Sequence, residues 1–226
     1  FLETGSLSWL YYSDRLLELP LALFGIAIAT VILPRLSSEH LKDSTKDFSH
    51  TLDWAIKSVL LFGLPATAAL VILSDELIAT LFFHGVMESR DVLMAGASLA
   101  AYGAGLAGHM LIKVLAPGYF SRQDMISPVR FGIIAMVANM GLNLVLIWHF
   151  KHVGLAIATT ISAFLNAALL YAGLSRLGLI NFYNKDNVLF LSRLIVATFI
   201  MTSLIYYFNP SIGWWLQIDS VARVIR

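Results

Sequence analysis

Asp14, Arg15 and Glu18 are the residues whose types and spacing could do chemistry in this chain. Separations of one, three and four place an acid, a base and an acid within mutual reach on one side of a helix. A guanidinium in that setting can hold phosphate oxygens through paired hydrogen bonds. The three charges sit in SLSWLYYSDRLLELPLALFGIAIATVILP, running from Ser6 to Pro34. At about 29 residues this stretch exceeds the roughly 20 that cross a bilayer. Counted from Gly5 at about 1.5 Å per residue, Arg15 lies roughly 15 Å deep, near the midplane of a hydrocarbon layer about 30 Å thick. A central Arg or Asp is unfavourable there by roughly 2.5–3.5 kcal/mol, so it faces a protein interior or a watery cavity. The plainer reading is a structural ion pair within one helix; the sharper one is a substrate or ion path. Pro20 cannot donate to the carbonyl of Leu16, which predicts a kink just past the charges and a bend that suits a cavity wall.

The elements that must position these charges are membrane spans. The chain is 58% hydrophobic and 13% charged, with a mean hydropathy of +0.79, which defines an integral membrane protein rather than a soluble domain. A net charge of +1 says little about partners and gives no reason to expect nucleic acid. No cysteine is present, so disulfide and thiolate-metal chemistry are excluded. The residues from Phe1 onward lack the pattern of a signal peptide, and the chain is expected to begin mid-protein.

Beyond Pro34, RLSSEHLKDSTKDFSH predicts a polar loop or short surface helix. A second span follows from about residue 52 to 73, with Asp53 and Lys57 four apart and a break at Gly63-Leu64-Pro65. SDELIATLFFHG predicts a short amphipathic interfacial helix with Ser74 as its N-cap. A third span, about 92 to 116, carries small residues at Gly96, Ala100, Ala104 and Gly108, a ladder that lets helices approach closely. His109 and Lys113 lie on the adjoining stripe. His109 reads as a hydrogen-bonded core residue, and Lys113 as a snorkelling lysine or a functional cation. Pro117 and Pro128 bound the next connection.

A fourth span (about 129 to 148) and a fifth (about 153 to 174) are joined by HFKHVG, short enough to force an antiparallel hairpin. Asn139 and Asn143 on one, and Thr159, Thr160, Ser162 and Asn166 on the other, predict interhelical hydrogen bonds. The sharper alternative is a weak oxygen-lined cation site from Asn139, Asn143 and Thr159, without a carboxylate. A sixth span (about 188 to 208) ends at Asn209-Pro210 and is followed by Trp214 and Trp215, an interfacial aromatic pair. IDSVARVIR resembles the start of a further helix. The fold class is thus all-α, a polytopic bundle of about six spans.

Basic residues concentrate in alternate connections. Arg35, Lys42, Lys46 and Lys57, then Lys113, Arg122 and Arg130, then Arg176, Lys185 and Arg193 share one side, which is predicted to be cytoplasmic. HExxH, GxSxG and paired intramembrane Asp motifs are absent, and His40 and His50 lack metal-ligand spacing, so no enzyme and no bound metal or cofactor is expected. A passive bundle has no use for Asp14-Arg15-Glu18 at the midplane, and transport is the better class.

SLSWLYYSDRLLELPLALFGIAIATVILPRLS resembles the signature helix of the MurJ (MviN) lipid II flippase family, close to S-x-x-YYADRLxxLPLGxFGIAxATVILPxLS. The likeness continues through HTLDWAIKSVLLFGLPA, LIATLFFHG, DVLMAGASLAAYGAGL, KVLAPGYFSRQD with SPV, and KHVGLAIATTISAFLNAALLY, which is most of the chain. The resemblance implies the second lobe of a two-lobed multidrug/oligosaccharidyl-lipid/polysaccharide exporter. Residues 1–178 would form the partial lobe, and residues 179–226 an additional helix and the start of a last one. It implies translocation of an undecaprenyl-diphosphate-linked peptidoglycan precursor, lipid II, across the bacterial cytoplasmic membrane by alternating access, with a first lobe and membrane lipids as partners. The family's cavity pair maps onto Asp14 and Arg15, with Arg15 on the diphosphate. Ser13 replaces the usual Ala, and Glu18 stands at a usually neutral position. Glu18 and Lys113 are candidates for gating or coupling, and coupling to the membrane potential or a monovalent cation is expected. A related exporter of drugs or O-antigen lipid, and a membrane scaffold for cell-wall enzymes, remain alternatives.

Overall fold

The structure is a computed structural model and describes residues 3, 5–180, 185–210 and 212–217. These form α1 (Ser6–Pro20), a π-helical turn (Leu21–Ile26), α2 (Ala27–Leu41), α3 (Thr45–Ile72), α4 (Ser74–Phe82), α5 (Ser89–Gly103), α6 (Leu106–Phe120), α7 (Ile126–Arg176), α8 (Lys185–Phe208) and α9 (Ile212–Gln217). No strand occurs among the described residues. The stretch IDSVARVIR, expected to start a further helix, lies outside them.

Gly5 starts α1 with φ 98°, a left-handed conformation that glycine takes without steric cost. The missing N–H of Pro20 is accommodated by the π-helical turn that follows it, and α1, that turn and α2 run on as one apolar rod over Ser6–Leu41. Of the two alternatives for the polar stretch after Pro34, the helical one therefore holds to Leu41, as a continuation of α2. Arg35 Nε donates to Glu39 Oε1 at 2.9 Å, the Ser37 hydroxyl to the Leu33 carbonyl, and Thr51 of α3 to Glu39 at 2.8 Å. These bonds satisfy polar groups that composition alone assigns to solvent. Likewise α3 begins at Thr45 and passes through Gly63-Leu64-Pro65 without a break. The Met110 side chain packs over Gly63 there.

The third span differs more. It consists of two helices, α5 and α6, interrupted at Ala104-Gly105. Gly96 and Gly108 do admit close neighbours, Asp75 and Phe164 respectively. The tight approaches at the interruption come instead from Gly103 against Leu70 and Gly105 against Thr160, neither on the predicted stripe. At the interruption the Gly105 N–H turns to the Tyr102 carbonyl, three residues back, at 2.8 Å. Pro117 lies inside α6 and Pro128 in the first turn of α7 rather than in a loop. Ser74 does not cap α4; Leu73 holds the cap position without a side-chain bond.

Five continuous helical stretches are long and apolar enough to cross a membrane. The longest, α7, has 51 residues, which at about 1.5 Å each is more than twice a hydrocarbon thickness of about 30 Å. Lys151 breaks it with φ 50° and ψ −129°. Asn139 reaches Ser162 at 3.1 Å, and Gly154 packs on the Leu146 carbonyl, so residues 126–150 and 152–176 lie side by side. The hairpin predicted from HFKHVG is present, and α7 supplies two of six crossings.

Lipid is as apolar as leucine, so close packing and interhelical hydrogen bonds hold such helices together. The core joins Trp9 and Leu17 of α1, Leu52 and Val59 of α3, Leu99 of α5, and Leu106 and Met110 of α6. Across it, Tyr119 donates to the Leu170 carbonyl at 2.7 Å and Thr160 to the Ala101 carbonyl at 2.6 Å. Ser13 is fully buried, and its hydroxyl lies 2.7 Å from the Ala95 carbonyl of α5 and 2.8 Å from its own helix at Trp9. Ser13→Ala is expected to keep the fold while lowering stability by about 0.6–1.7 kcal/mol, read by thermal unfolding in detergent.

One end of the bundle is tied by charge. Glu3 pairs with Arg90 at 2.7 Å and with Lys151 at the α7 turn. The hydrogen bond from Lys151, then its charge, holds the Glu3 carboxylate below its ordinary value of 4.5. A depressed carboxylate stabilises the fold above that value and stops doing so as pH falls through its lower folded value. Amide exchange at residues 149–153 is therefore expected to accelerate below pH 4.5 beyond the intrinsic rate, and to lose that pH step in Glu3→Gln.

Candidate functional site

The side of α1 that packs inward is Ser6, Trp9, Ser13 and Leu17. The opposite side presents Leu7, Ser8, Tyr11, Asp14, Arg15, Glu18 and Leu19, all exposed at helical spacing. The three charges thus share one open face rather than a sealed interior. At this depth such a face cannot meet acyl chains; it must line water or another protein body.

Arg15 Nη1 lies 3.4 Å from Glu18 Oε2, a loose pair with both side chains more than half exposed, at 58% and 57%. The guanidinium carbon lies 4.9 Å from the centroid of the Tyr11 ring, within reach of a cation–π contact. Asp14 makes no hydrogen bond among the described residues. Arg15 therefore keeps donors free for a ligand, and its pairing with Glu18 is weak enough to exchange.

On α6, His109 Nδ1 is 2.9 Å from the Gly105 carbonyl. A carbonyl can only accept, so Nδ1 carries the proton. Lys113 is exposed beside Gly25 of the π-helical turn and makes no ion pair among the described residues. It borders a mostly apolar cleft of about 360 Å³ between α2 and α6. The structure does not link Lys113 to Glu18.

Asn139, Asn143 and Thr159 come together across the α7 hairpin. Asn139 Nδ2 donates to Ser162 at 3.1 Å and lies 3.4 Å from Thr159, while Asn143 Nδ2 donates to Asn139 Oδ1 at 2.8 Å. Ser162 thus joins the cluster as a principal acceptor. Interhelical bonding accounts for these contacts, leaving the buried Asn143 Oδ1 without a partner. Among the described residues no group of three or more His, Asp or Glu could hold a metal.

The exposed partners of α1 were not visible as a set in the sequence, although the i, i+3, i+4, i+7 spacing of Tyr11, Asp14, Arg15 and Glu18 carries the signal. Ser13 and its acceptor, 82 residues apart, had no local signal.

Six apolar crossings with one open, charged face define a polytopic membrane protein built like a lobe of a helical transporter. The comparisons make this specific. The chain belongs to the MurJ lipid II flippase family, whose model, described as lipid II flippase MurJ, matches residues 1–225. It is 52% identical over 217 residues to the probable lipid II flippase MurJ of Vibrio cholerae, covering 96% of this chain and 41% of that protein. The probable lipid II flippase MurJ of Haemophilus influenzae is 49% identical over 230 residues, covering 99% and 45%. A solved lipid II flippase MurJ in an inward closed conformation shares the fold, with a TM-score of 0.81 at 24% identity, over 99% of this chain and 45% of that one. The chain spans less than half the length of these relatives.

Proposed function

We propose that this chain is the second lobe of a lipid II flippase, which moves the undecaprenyl-diphosphate-linked peptidoglycan precursor from the inner to the outer leaflet of a bacterial cytoplasmic membrane. The observation that carries the reading is the exposed Asp14-Arg15-Glu18 face on α1, set at midplane depth in a family of lipid II flippases. Arg15 binds the diphosphate through its guanidinium fork, and Tyr11 keeps the fork oriented. Glu18 holds Arg15 when the site is empty and gives it up to the phosphate, so the pair forms in one state of the cycle and opens in another.

The opposing wall belongs to a first lobe, so alternating access is a property of the full-length protein. The Asn139-Asn143-Thr159 cluster is the candidate seat of a coupling monovalent cation, through the unpartnered Asn143 Oδ1. The test is growth of a bacterium depleted of its own flippase and supplied with the full-length protein. Wild type is expected to restore growth and Arg15→Ala to fail at equal membrane abundance. Growth on Arg15→Ala would make Arg15 structural, as a scaffold requires.

A further inference from the structure

At the end of α1 that carries Glu3, a pocket of about 290 Å³ opens between α1, the end of α4 and the start of α5. Trp9, Tyr12 and Phe82 supply aromatic walls, and the Tyr12 and Phe82 rings lie 4.7 Å apart at 33°. Asp91 is also in the lining, and each of its oxygens already accepts one hydrogen bond. Oδ1 accepts from Trp9 Nε1 at 2.9 Å and Oδ2 from the Glu88 backbone N–H at 2.9 Å. Both donors are neutral, so Asp91 keeps its negative charge and the pocket disfavours an anion. What it does offer is the Ser8 hydroxyl, the Tyr12 hydroxyl and the His84 imidazole, none of which makes a side-chain hydrogen bond among the described residues.

Aromatic faces with uncharged donors and acceptors at the edge suit a neutral ring that is apolar on its faces and hydroxylated around its rim. The volume is small for a ligand pocket and fits one such ring. Position adds a second constraint. Ser8 and Arg15 are seven residues apart on the same exposed face of α1, two turns or about 10 Å along the helix. A group held at Ser8 is one sugar's reach from a diphosphate held at Arg15.

We infer that this pocket is a carbohydrate subsite that takes a pyranose ring of the lipid-linked substrate, towards the side of the membrane where the basic-loop pattern places the outer leaflet. The inference rests on the flippase reading for the origin of the sugar, and on the pocket alone for its chemistry. Stacking on Tyr12 and Phe82 supplies affinity, while Ser8 and His84 read the hydroxyls. Because the groups left free to bind, Ser8, Tyr12 and His84, are few and exposed at the rim, the subsite binds weakly, which suits a cargo that must be released.

The experiment is saturation-transfer nuclear magnetic resonance on the full-length protein in lipid nanodiscs, with diacetylchitobiose as the soluble probe. Transfer to the sugar ring protons is expected for wild type and for Arg15→Ala. It is expected to fall about fivefold in Ser8→Ala/His84→Ala, two exposed positions that leave the core untouched. Tyr12→Phe, which keeps the ring, is expected to lose less. No transfer to wild type, equal transfer to the double variant, or loss of transfer in Arg15→Ala would overturn the assignment. The growth assay reads Arg15 and this assay reads the pocket, so either can fail alone.

Discussion

Gly154→Ala in the full-length protein is expected to prevent the α7 hairpin from closing and to remove most folded protein from the membrane. A Cβ at Gly154 would stand 2.5 Å from the Leu146 carbonyl oxygen and 2.7 Å from its carbon. Both are backbone atoms, so no rotamer change relieves the clash, and the two arms must separate. Overpacking of this kind costs about 1–3 kcal/mol or more, while interhelical hydrogen bonds such as those from Asn139 return only about 0.6 kcal/mol each on average. The control lies on the same helix: a Cβ at Gly132 or Gly141 meets nothing within 4 Å. Alanine there is expected to be neutral or to stabilise by about 0.5–1 kcal/mol through helix propensity. Fluorescence-detected size exclusion and thermal unfolding distinguish the three variants. Equal behaviour of Gly154→Ala and Gly141→Ala would contradict the hairpin.

The second large effect concerns the open face. Binding of undecaprenyl diphosphate to the full-length protein is expected to weaken by about 10²- to 10⁴-fold in Arg15→Ala, since two charge-assisted hydrogen bonds of about 1.5–3 kcal/mol each are lost. Arg15→Lys keeps the charge but not the planar fork, and should fall between wild type and Arg15→Ala. Glu18→Gln moves the other way. It removes the carboxylate 3.4 Å from the guanidinium, so affinity should rise while release slows. A binding titration in nanodiscs is expected to rank Glu18→Gln tightest, then wild type, then Arg15→Lys, with Arg15→Ala weakest. An unchanged affinity in Glu18→Gln would show that the pair does not compete with substrate.

Hydropathy made the six crossings legible, because an apolar run of span length has few alternatives in a chain this hydrophobic. The α7 hairpin was legible from a connection too short for anything else, and the charged stretch from the cost of placing Arg15 at the midplane. What composition could not show was where tertiary partners override local polarity. The stretch after Pro34 reads as a loop or a short surface helix until Thr51 and Arg35 are seen to share Glu39. Gly63-Leu64-Pro65 reads as a break until Met110 is found packed over Gly63. In the site, the charges were visible but their exposure was not, since a single helix does not say which of its faces the bundle will cover. The pocket at Trp9, Tyr12 and Phe82 unites residues from three separate elements and had no sequence signature.

The central claim is that the full-length protein moves lipid II between leaflets with Arg15 on its diphosphate. Its most direct test reconstitutes that protein into sealed vesicles holding labelled lipid II in one leaflet, and follows how fast the label becomes accessible to a membrane-impermeant enzyme on the other side. Rapid exposure with wild type, and exposure with Arg15→Ala no faster than in protein-free vesicles, is the expected result. Equal rates for wild type and Arg15→Ala would contradict the account.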